Sequence, residues 1–313
     1  MMDETQALAV LNENYTFGFE KLEFLRDSGC LAYAAYAEGV KYFLRITKPL
    51  FYETSAKSLD IHMFLQEHDF SVPKIMRTKD GFPYVQVEEP QGNCFLVVYE
   101  FVEGEEVDPV LDAERIGAFV GKLHHVMQEY PGELVKRDKH YYIDRYMEQM
   151  RAKQYGKVGE FVSYGEALWE RVKDLPYGYC HGDMYRGNIL KTSDGCFYLL
   201  DFDTSCEGIS LYDPALICNM TDFFDLEEDG YQKTKEVYER FLPEYLKYHS
   251  MSEAEIAAFY DVIALYHFAL QATIIEIFGL IVWITHFLTG SLPGCANGGS
   301  SACGTQKKEL IHY

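Results

Sequence analysis

Three oxygen-bearing side chains stand at the spacing that phosphoryl transfer needs. His181-Gly182-Asp183-Met184-Tyr185-Arg186-Gly187-Asn188 is followed by Leu199-Leu200-Asp201-Phe202-Asp203. Such a reaction asks a protein to position reactants, take the proton of an attacking hydroxyl and provide oxygen ligands for Mg²⁺. In the D-x-x-x-x-N block Asp183 supplies the base and Asn188 an amide ligand, while Asp201 supplies the principal carboxylate for the metal. Taken singly, an aspartate beside a glycine is a turn former, and so is Asn188 after Gly187. Their order, and the short hairpin expected to join the two turns, argue for a common purpose.

The elements that must position these groups change character along the chain. Residues 3–13 read as an opening helix. Phe19–Leu25, Leu31–Ala37 and Val40–Ile46 have strand character, with Arg26-Asp27-Ser28-Gly29 and Glu38-Gly39 between them. An amphipathic segment at 54–69 precedes a turn at Asp80-Gly81 and the apolar run Cys94–Tyr99. From Glu100-Phe101-Val102-Glu103-Gly104 onward the pattern is mostly helical, over 112–129, 139–153, 160–174, 213–221, 230–247 and 252–288. Strand-like pieces at Ile189-Leu190 and Phe197–Leu200 interrupt it. This predicts an α+β chain of two lobes with a cleft between them. Residues 1–99 form a small antiparallel sheet with one helix, 100–104 a hinge and 105–288 a larger, mainly helical lobe. The Gly/Ser-rich 289–313 is expected to be a flexible tail.

The H-G-D-x-x-x-x-N block with its D-F-D turn resembles the aminoglycoside phosphotransferase and choline kinase superfamily, over about residues 15–280. The resemblance implies the two-lobed protein-kinase-like fold, ATP as donor and Mg²⁺ as cofactor. It implies Asp183 as the catalytic base, Asn188 and Asp201 as metal ligands, and Asp203 assisting at the metal. His181 and Asp213 would brace the catalytic loop, and Asp213-Pro214 also reads as a helix start. The turn at Ser28 and Gly29 lies where phosphates would be covered. Arg45 stands where protein kinases carry a phosphate-binding lysine, and a guanidinium can clamp phosphate oxygens in its own geometry. Its expected partner is Asp60 of the inserted helix, with Glu53 and Glu67 as alternatives. Glu100, Phe101 and Val102 would meet the adenine through backbone groups.

The acceptor is less legible. Residues 222–229 mix acids with aromatics, and Tyr266, His267, Gln271 and Glu276 lie near one face of the last helix. Acids beside rings suit an ammonium group, so a cationic, hydroxylated small molecule is expected: an amino alcohol or aminoglycoside first, then homoserine or a sugar. A nucleotide-binding module without turnover is the competing reading, motivated by Arg45 and the glycine-poor turn at 26–29. A protein kinase is disfavoured, since no A-P-E segment follows Asp201.

With 313 residues, 48% hydrophobic and 15% aromatic, the chain can build a substantial core. A formal net charge of −21 argues against nucleic acid and anionic membranes as partners. Phe268–Phe287 is long enough to span a bilayer, but Gln271, Glu276 and His286 make it a buried helix instead. The eight cysteines show no C-x-x-C pair, and MMDETQALAV has no secretory pattern, which together suggest reduced thiols in the cytoplasm.

Overall fold

A computed structural model of the chain describes residues 2–221 and 229–278. The tail 289–313 and all but the last residue of the stretch 222–229 lie outside the described residues. The chain divides into two compact units. Among the described residues, the first takes 2–107 and Gly187–Asp203, the second Asp108–Arg186, 204–221 and 229–278. The hairpin 187–203, expected with the helices, therefore packs with the first unit.

In the first unit, helix α1 (Glu4–Asn14) opens on a capping box in which Asp3 and Gln6 satisfy each other's backbone N–H. Strands β1 (Phe19–Ser28), β2 (Cys30–Ala37) and β3 (Val40–Thr47) are followed by α2 (Tyr52–Glu67) and by β4 (Val85–Glu89) and β5 (Gly92–Glu100). They form one antiparallel five-stranded sheet in the order β1-β2-β3-β5-β4. Side chains alternate between its faces. Leu44, Ile46, Leu96 and Val98 join Ala7 and Leu11 of α1 in one core. Phe95, Val97 and Tyr99, with Phe43 against them, join Leu59 of α2 in another. Both faces of β5 are buried, which is why Cys94–Tyr99 is apolar without a break. Since Arg45 follows Leu44, alternation sends it to the α2 face with Phe43.

The hairpin 187–203 adds its own ladder to this unit. Strand Ile189–Lys191 lies between Phe197–Leu199 and Glu105–Glu106, antiparallel to both.

The second unit is built on α3 (Ala113–Met127), α4 (Arg145–Ala152), α5 (Val158–Val172), α6 (Tyr212–Cys218), α7 (Gly230–Tyr245), α8 (Glu253–Ala257) and α9 (Phe259–Phe278). Gly117 and Gly121 let α3 meet α7 backbone to backbone. A Cβ would stand 2.3 Å from the Phe241 carbonyl at the first and 2.7 Å from the Tyr245 carbonyl at the second. Two features depart from the sequence expectation. The last helix is not continuous from 252: a capping box of Ser252 and Glu255 opens α8, and a break at Ala258 precedes α9. The helix expected at 139–153 begins with a π-helical turn, His140–Asp144, closed by the Arg145 N–H donating to the His140 carbonyl.

A small sheet also lies among these helices. Cys206–Ile209 pairs antiparallel with Tyr177–Cys180 and parallel with Val135–Lys136. Its strands are too short to show a period in the sequence. Among the described residues no helix is long and apolar enough to cross a membrane.

Candidate active site

In the second unit, Tyr177–Cys180 leads the chain into His181-Gly182-Asp183, and the turn there is held from several sides. Asp213, in the first turn of α6 and fully buried, accepts from the His181 N–H at 2.6 Å and the Gly182 N–H at 2.9 Å. His124 of α3 meets the same carboxylate through Nε2 at 3.1 Å. With Nε2 donating, its Nδ1 accepts from the Tyr245 hydroxyl at 2.7 Å. Burial alone would raise the Asp213 carboxyl, but His124, His181 and the Gly182 N–H together hold it below the ordinary carboxylate range. Thr204 closes the far side, its hydroxyl donating to the His181 carbonyl at 2.9 Å. Gly182 has φ +81°, and a Cβ there would lie 2.4 Å from the Thr204 carbonyl oxygen. Only glycine fits that place, so the H-G-D form follows from packing. Asp183 leaves this braced turn half-buried. His181 takes part in this bracing through its backbone N–H and carbonyl, and its ring is fully buried.

In the first unit the hairpin brings the ends of its strands together, with the Leu200 N–H donating to the Asn188 carbonyl at 2.9 Å. Asp201 follows with φ +58°, a left-handed conformation uncommon for a residue other than glycine. Such strain persists only where the surroundings impose it, and it collects at functional turns. Phe202 is the anchor. Its ring packs edge-on to His62 of α2 at 5.5 Å, and His62 in turn lies 5.0 Å from Tyr99 at the end of β5.

Arg45 corrects the expected pairing. Its guanidinium forms an ion pair with Asp203 and reaches the Ser55 hydroxyl at 3.1 Å. It does not pair with Asp60. Asp60, Glu53 and Glu67 all lie on the exposed side of α2, while the buried side offers Ser55, Ser58 and His62. The register of the helix decides this: an acid at 60 is rotated away from the face that carries Leu59 and His62.

Asp203 therefore has a structural partner on one oxygen. Its Oδ1 is buried without a hydrogen bond. Asp201 has Arg26 at 3.9 Å. Among the described residues no group of three or more His, Cys, Asp or Glu could hold an ion by itself. The donors in this unit (the Asn188 amide, Asp201 and the free oxygen of Asp203) are all oxygens, a set that fits a hard dication with coordination left for phosphate and water.

At the nucleotide end, Gly29 has φ +62° and turns the chain so tightly that Ser28 pairs with Cys30. The turn expected to cover phosphates is thus the tip of the β1–β2 hairpin. Glu100 exchanges contacts with Lys74: its N–H donates to the Lys74 carbonyl and its carboxylate accepts from the Lys74 N–H, both at 2.8 Å. Phe101 has its ring under the Lys41 ammonium at 3.7 Å.

His124, His62, Ser55 and Thr204 were not singled out in the sequence. His62 shares a helix face with Leu59 and Leu65, a signal of burial that a histidine there does not advertise. His124 and Thr204 find their partners only through folding.

The profile of the phosphotransferase enzyme family matches residues 28–249. A homoserine kinase of Zymomonas mobilis is 25% identical over 175 residues, 51% of this chain and 52% of that protein. The chain thus spans about half of that relative's length. A homoserine kinase of a Bradyrhizobium species is 25% identical over 267 residues, covering 76% of this chain and 78% of the relative. Among solved structures, a microcompartment-associated aminopropanol kinase superposes with a TM-score of 0.71 at 17% identity, covering 99% of this chain and 94% of its own. An amicoumacin kinase solved in complex with AMP-PNP, Ca²⁺ and Ami gives 0.70 at 19% identity, with 99% and 92% covered. These likenesses show the expected protein-kinase-like α+β fold. With the profile match spanning both the Arg45 strand and the Asp183 and Asp201 turns, the chain belongs to the phosphotransferase enzyme family.

Proposed function

We propose that the protein transfers the γ-phosphoryl group of ATP, with Mg²⁺, to a hydroxyl of an amino-containing small molecule. The braced His181-Gly182-Asp183 turn carries this reading. A carboxylate whose loop is fixed by Asp213, His124 and Thr204 is prepared to act at one atom, and a binding module would not need it.

In this reading Asp183 orients the acceptor hydroxyl and takes its proton as the oxygen bonds to phosphorus, with ADP as the leaving group. Asn188 and Asp201 hold the divalent ion, and Asp203 offers the oxygen that Arg45 leaves free. When bound, the ion neutralises charge on the phosphate oxygens. Arg45, fixed by Asp203 and Ser55, faces the phosphates, under the β1–β2 turn at Ser28 and Gly29. The adenine is met by backbone groups of Phe101 and Val102, the Glu100 N–H being engaged with Lys74. Asp60 has no part in this arrangement. The described cysteines are free thiols, which supports a reducing, cytoplasmic setting. The homoserine kinases among its relatives place a hydroxylated amino acid among the acceptors to try.

An ATP-coupled assay against homoserine, 3-aminopropan-1-ol, choline, ethanolamine, methylthioribose and aminoglycosides tests the reading. Transfer to at least one acceptor is expected. Asp183→Asn should lower turnover by about a thousandfold while ATP still binds. Unchanged turnover in that variant would remove Asp183 from the role of base.

A further inference from the structure

The acceptor was expected to be held by acids. The second unit offers a cation instead. Val135–Lys136 pairs with Cys206–Glu207, and the Arg137 N–H continues the ladder by donating to the Glu207 carbonyl at 2.9 Å. The backbone of Arg137 is thereby locked beside the segment whose Thr204 closes the catalytic turn. Its guanidinium lies against that turn: a Cβ on Gly182 would stand 3.0 Å from Nη1. The group also covers the ring of Tyr141, with Cζ 4.0 Å from the centroid. Tyr141 sits on the π-helical turn His140–Asp144, a local geometry found preferentially at functional sites. Asp183 is near enough to act on the Tyr141 hydroxyl electrostatically.

Two arginines share this ring, and only one is neutralised. Arg145, 4.9 Å from the same centroid, donates to both oxygens of Glu276 at 3.1 and 2.6 Å and to the Thr273 hydroxyl at 3.1 Å. Glu276, which the sequence offered to an ammonium group, is therefore already paired. Arg137 has no carboxylate partner among the described residues, and its Nη1 is buried without a hydrogen bond. A guanidinium withdrawn from water and left unpaired is costly, and a planar carboxylate is the ligand that fits its fork.

We propose that Arg137, lying on Tyr141 beside the His181-Gly182-Asp183 turn, binds a carboxylate of the phosphate acceptor. The acceptor is then a hydroxy amino acid and not a simple amino alcohol. This rests on the kinase reading above and sharpens its substrate class.

The test pairs L-homoserine with 3-aminopropan-1-ol, which has the same amino and hydroxyl groups without the carboxylate. The full chain and its Arg137→Gln and Arg137→Lys variants are assayed at saturating ATP, and melting temperatures confirm that each folds. Wild type should prefer homoserine by about 100-fold in kcat/KM. Arg137→Gln should raise the homoserine KM by about the same factor, with a smaller change in kcat and none in the KM for ATP. Arg137→Lys should fall between them. Equal use of 3-aminopropan-1-ol by wild type, or an unchanged homoserine KM in Arg137→Gln, overturns the proposal while the kinase reading stands. So does transfer only to acceptors that lack a carboxylate, a sugar phosphate included. If no acceptor receives phosphate the kinase reading falls, and calorimetric titration of wild type and Arg137→Gln with L-homoserine decides the anion site separately. Binding lost in the variant supports it, and equal or absent binding overturns it.

Discussion

Arg45 and Asp203 lie 158 positions apart in the chain and end on one another. The pair is shielded, with side-chain exposures of 13% and 28%, so it cannot be discounted as a surface contact. Burial by itself would disfavour the guanidinium charge, and the acidic neighbours together, Asp203 first among them, more than offset it. Removing one partner of such a pair leaves the other charge buried alone, and this costs about 3 kcal/mol. Asp203→Asn should therefore lower urea-unfolding stability by about 2–3 kcal/mol with neither nucleotide nor metal present. It should also weaken ATP binding, because Arg45 loses the group that aims it. A carboxylate serving only the metal gives a different result: apo stability unchanged and only Mg²⁺-dependent binding lost. Arg45 itself was legible from its place in the third strand, where the family resemblance implies a phosphate-binding cation. Its partner was not, because an ion pair between residues so far apart is settled by which face of α2 is buried, and the acids of α2 lie on the other one.

Helices show how packing sets the sign of one and the same substitution. Glycine to alanine inside a helix ordinarily stabilises by up to about 1 kcal/mol. At Gly159 in α5 nothing lies within 4 Å of the added Cβ, so that gain should appear as a higher melting temperature. At Gly121 in α3 the same methyl would meet the Tyr245 carbonyl at 2.7 Å. Backbone must then move, and a loss of about 1–3 kcal/mol is expected. The displacement has a path to the chemistry, since the Tyr245 hydroxyl holds His124 and His124 holds Asp213. Gly121→Ala should accordingly lower both melting temperature and turnover, whereas Gly159→Ala should leave turnover alone. Opposite signs at the two sites are the test, and equal ones would mean that α3 and α7 are not in backbone contact. The same dependence on neighbours explains what the sequence hid at this scale. Long periodic elements such as β2, β3 and α3 were readable within a few residues. The strands Val135–Lys136, Tyr177–Cys180 and Cys206–Ile209 exist only as mutual pairings, and the break at Ala258 interrupts an apolar run with neither glycine nor proline to mark it.

At the scale of the whole molecule, acid stability separates two effects of opposite sign. The net charge of −21 means that lowering the pH first relieves self-repulsion, which favours the folded chain. His62 opposes this. Burial is the main cause that brings its imidazole down to about 4, with the Arg45 charge adding to it, although the bond to Pro73 acts the other way. At neutral pH the ring is uncharged, and its Nε2 donates to the Pro73 carbonyl at 2.6 Å. In the unfolded chain the same group titrates near its ordinary value of 6.5. Between those values the unfolded state binds more protons than the folded one, so stability must fall as pH drops from 6.5 towards 4. A gap of this width corresponds to about 3 kcal/mol when fully developed. Asp213 extends the loss further down. Its carboxyl is held low in the fold, so its contribution is present above the ordinary carboxylate range and disappears as pH falls through the folded value. His62→Gln retains a donor for Pro73 and has no proton to gain. Melting temperatures of wild type and this variant, followed from pH 8 to pH 4, should run parallel above 7 and converge or cross below 6, where wild type alone carries the penalty. Parallel curves through the whole range would mean that His62 is not buried as a neutral group, and the packing of Phe202 and the Asp201 turn against it would have to be redrawn.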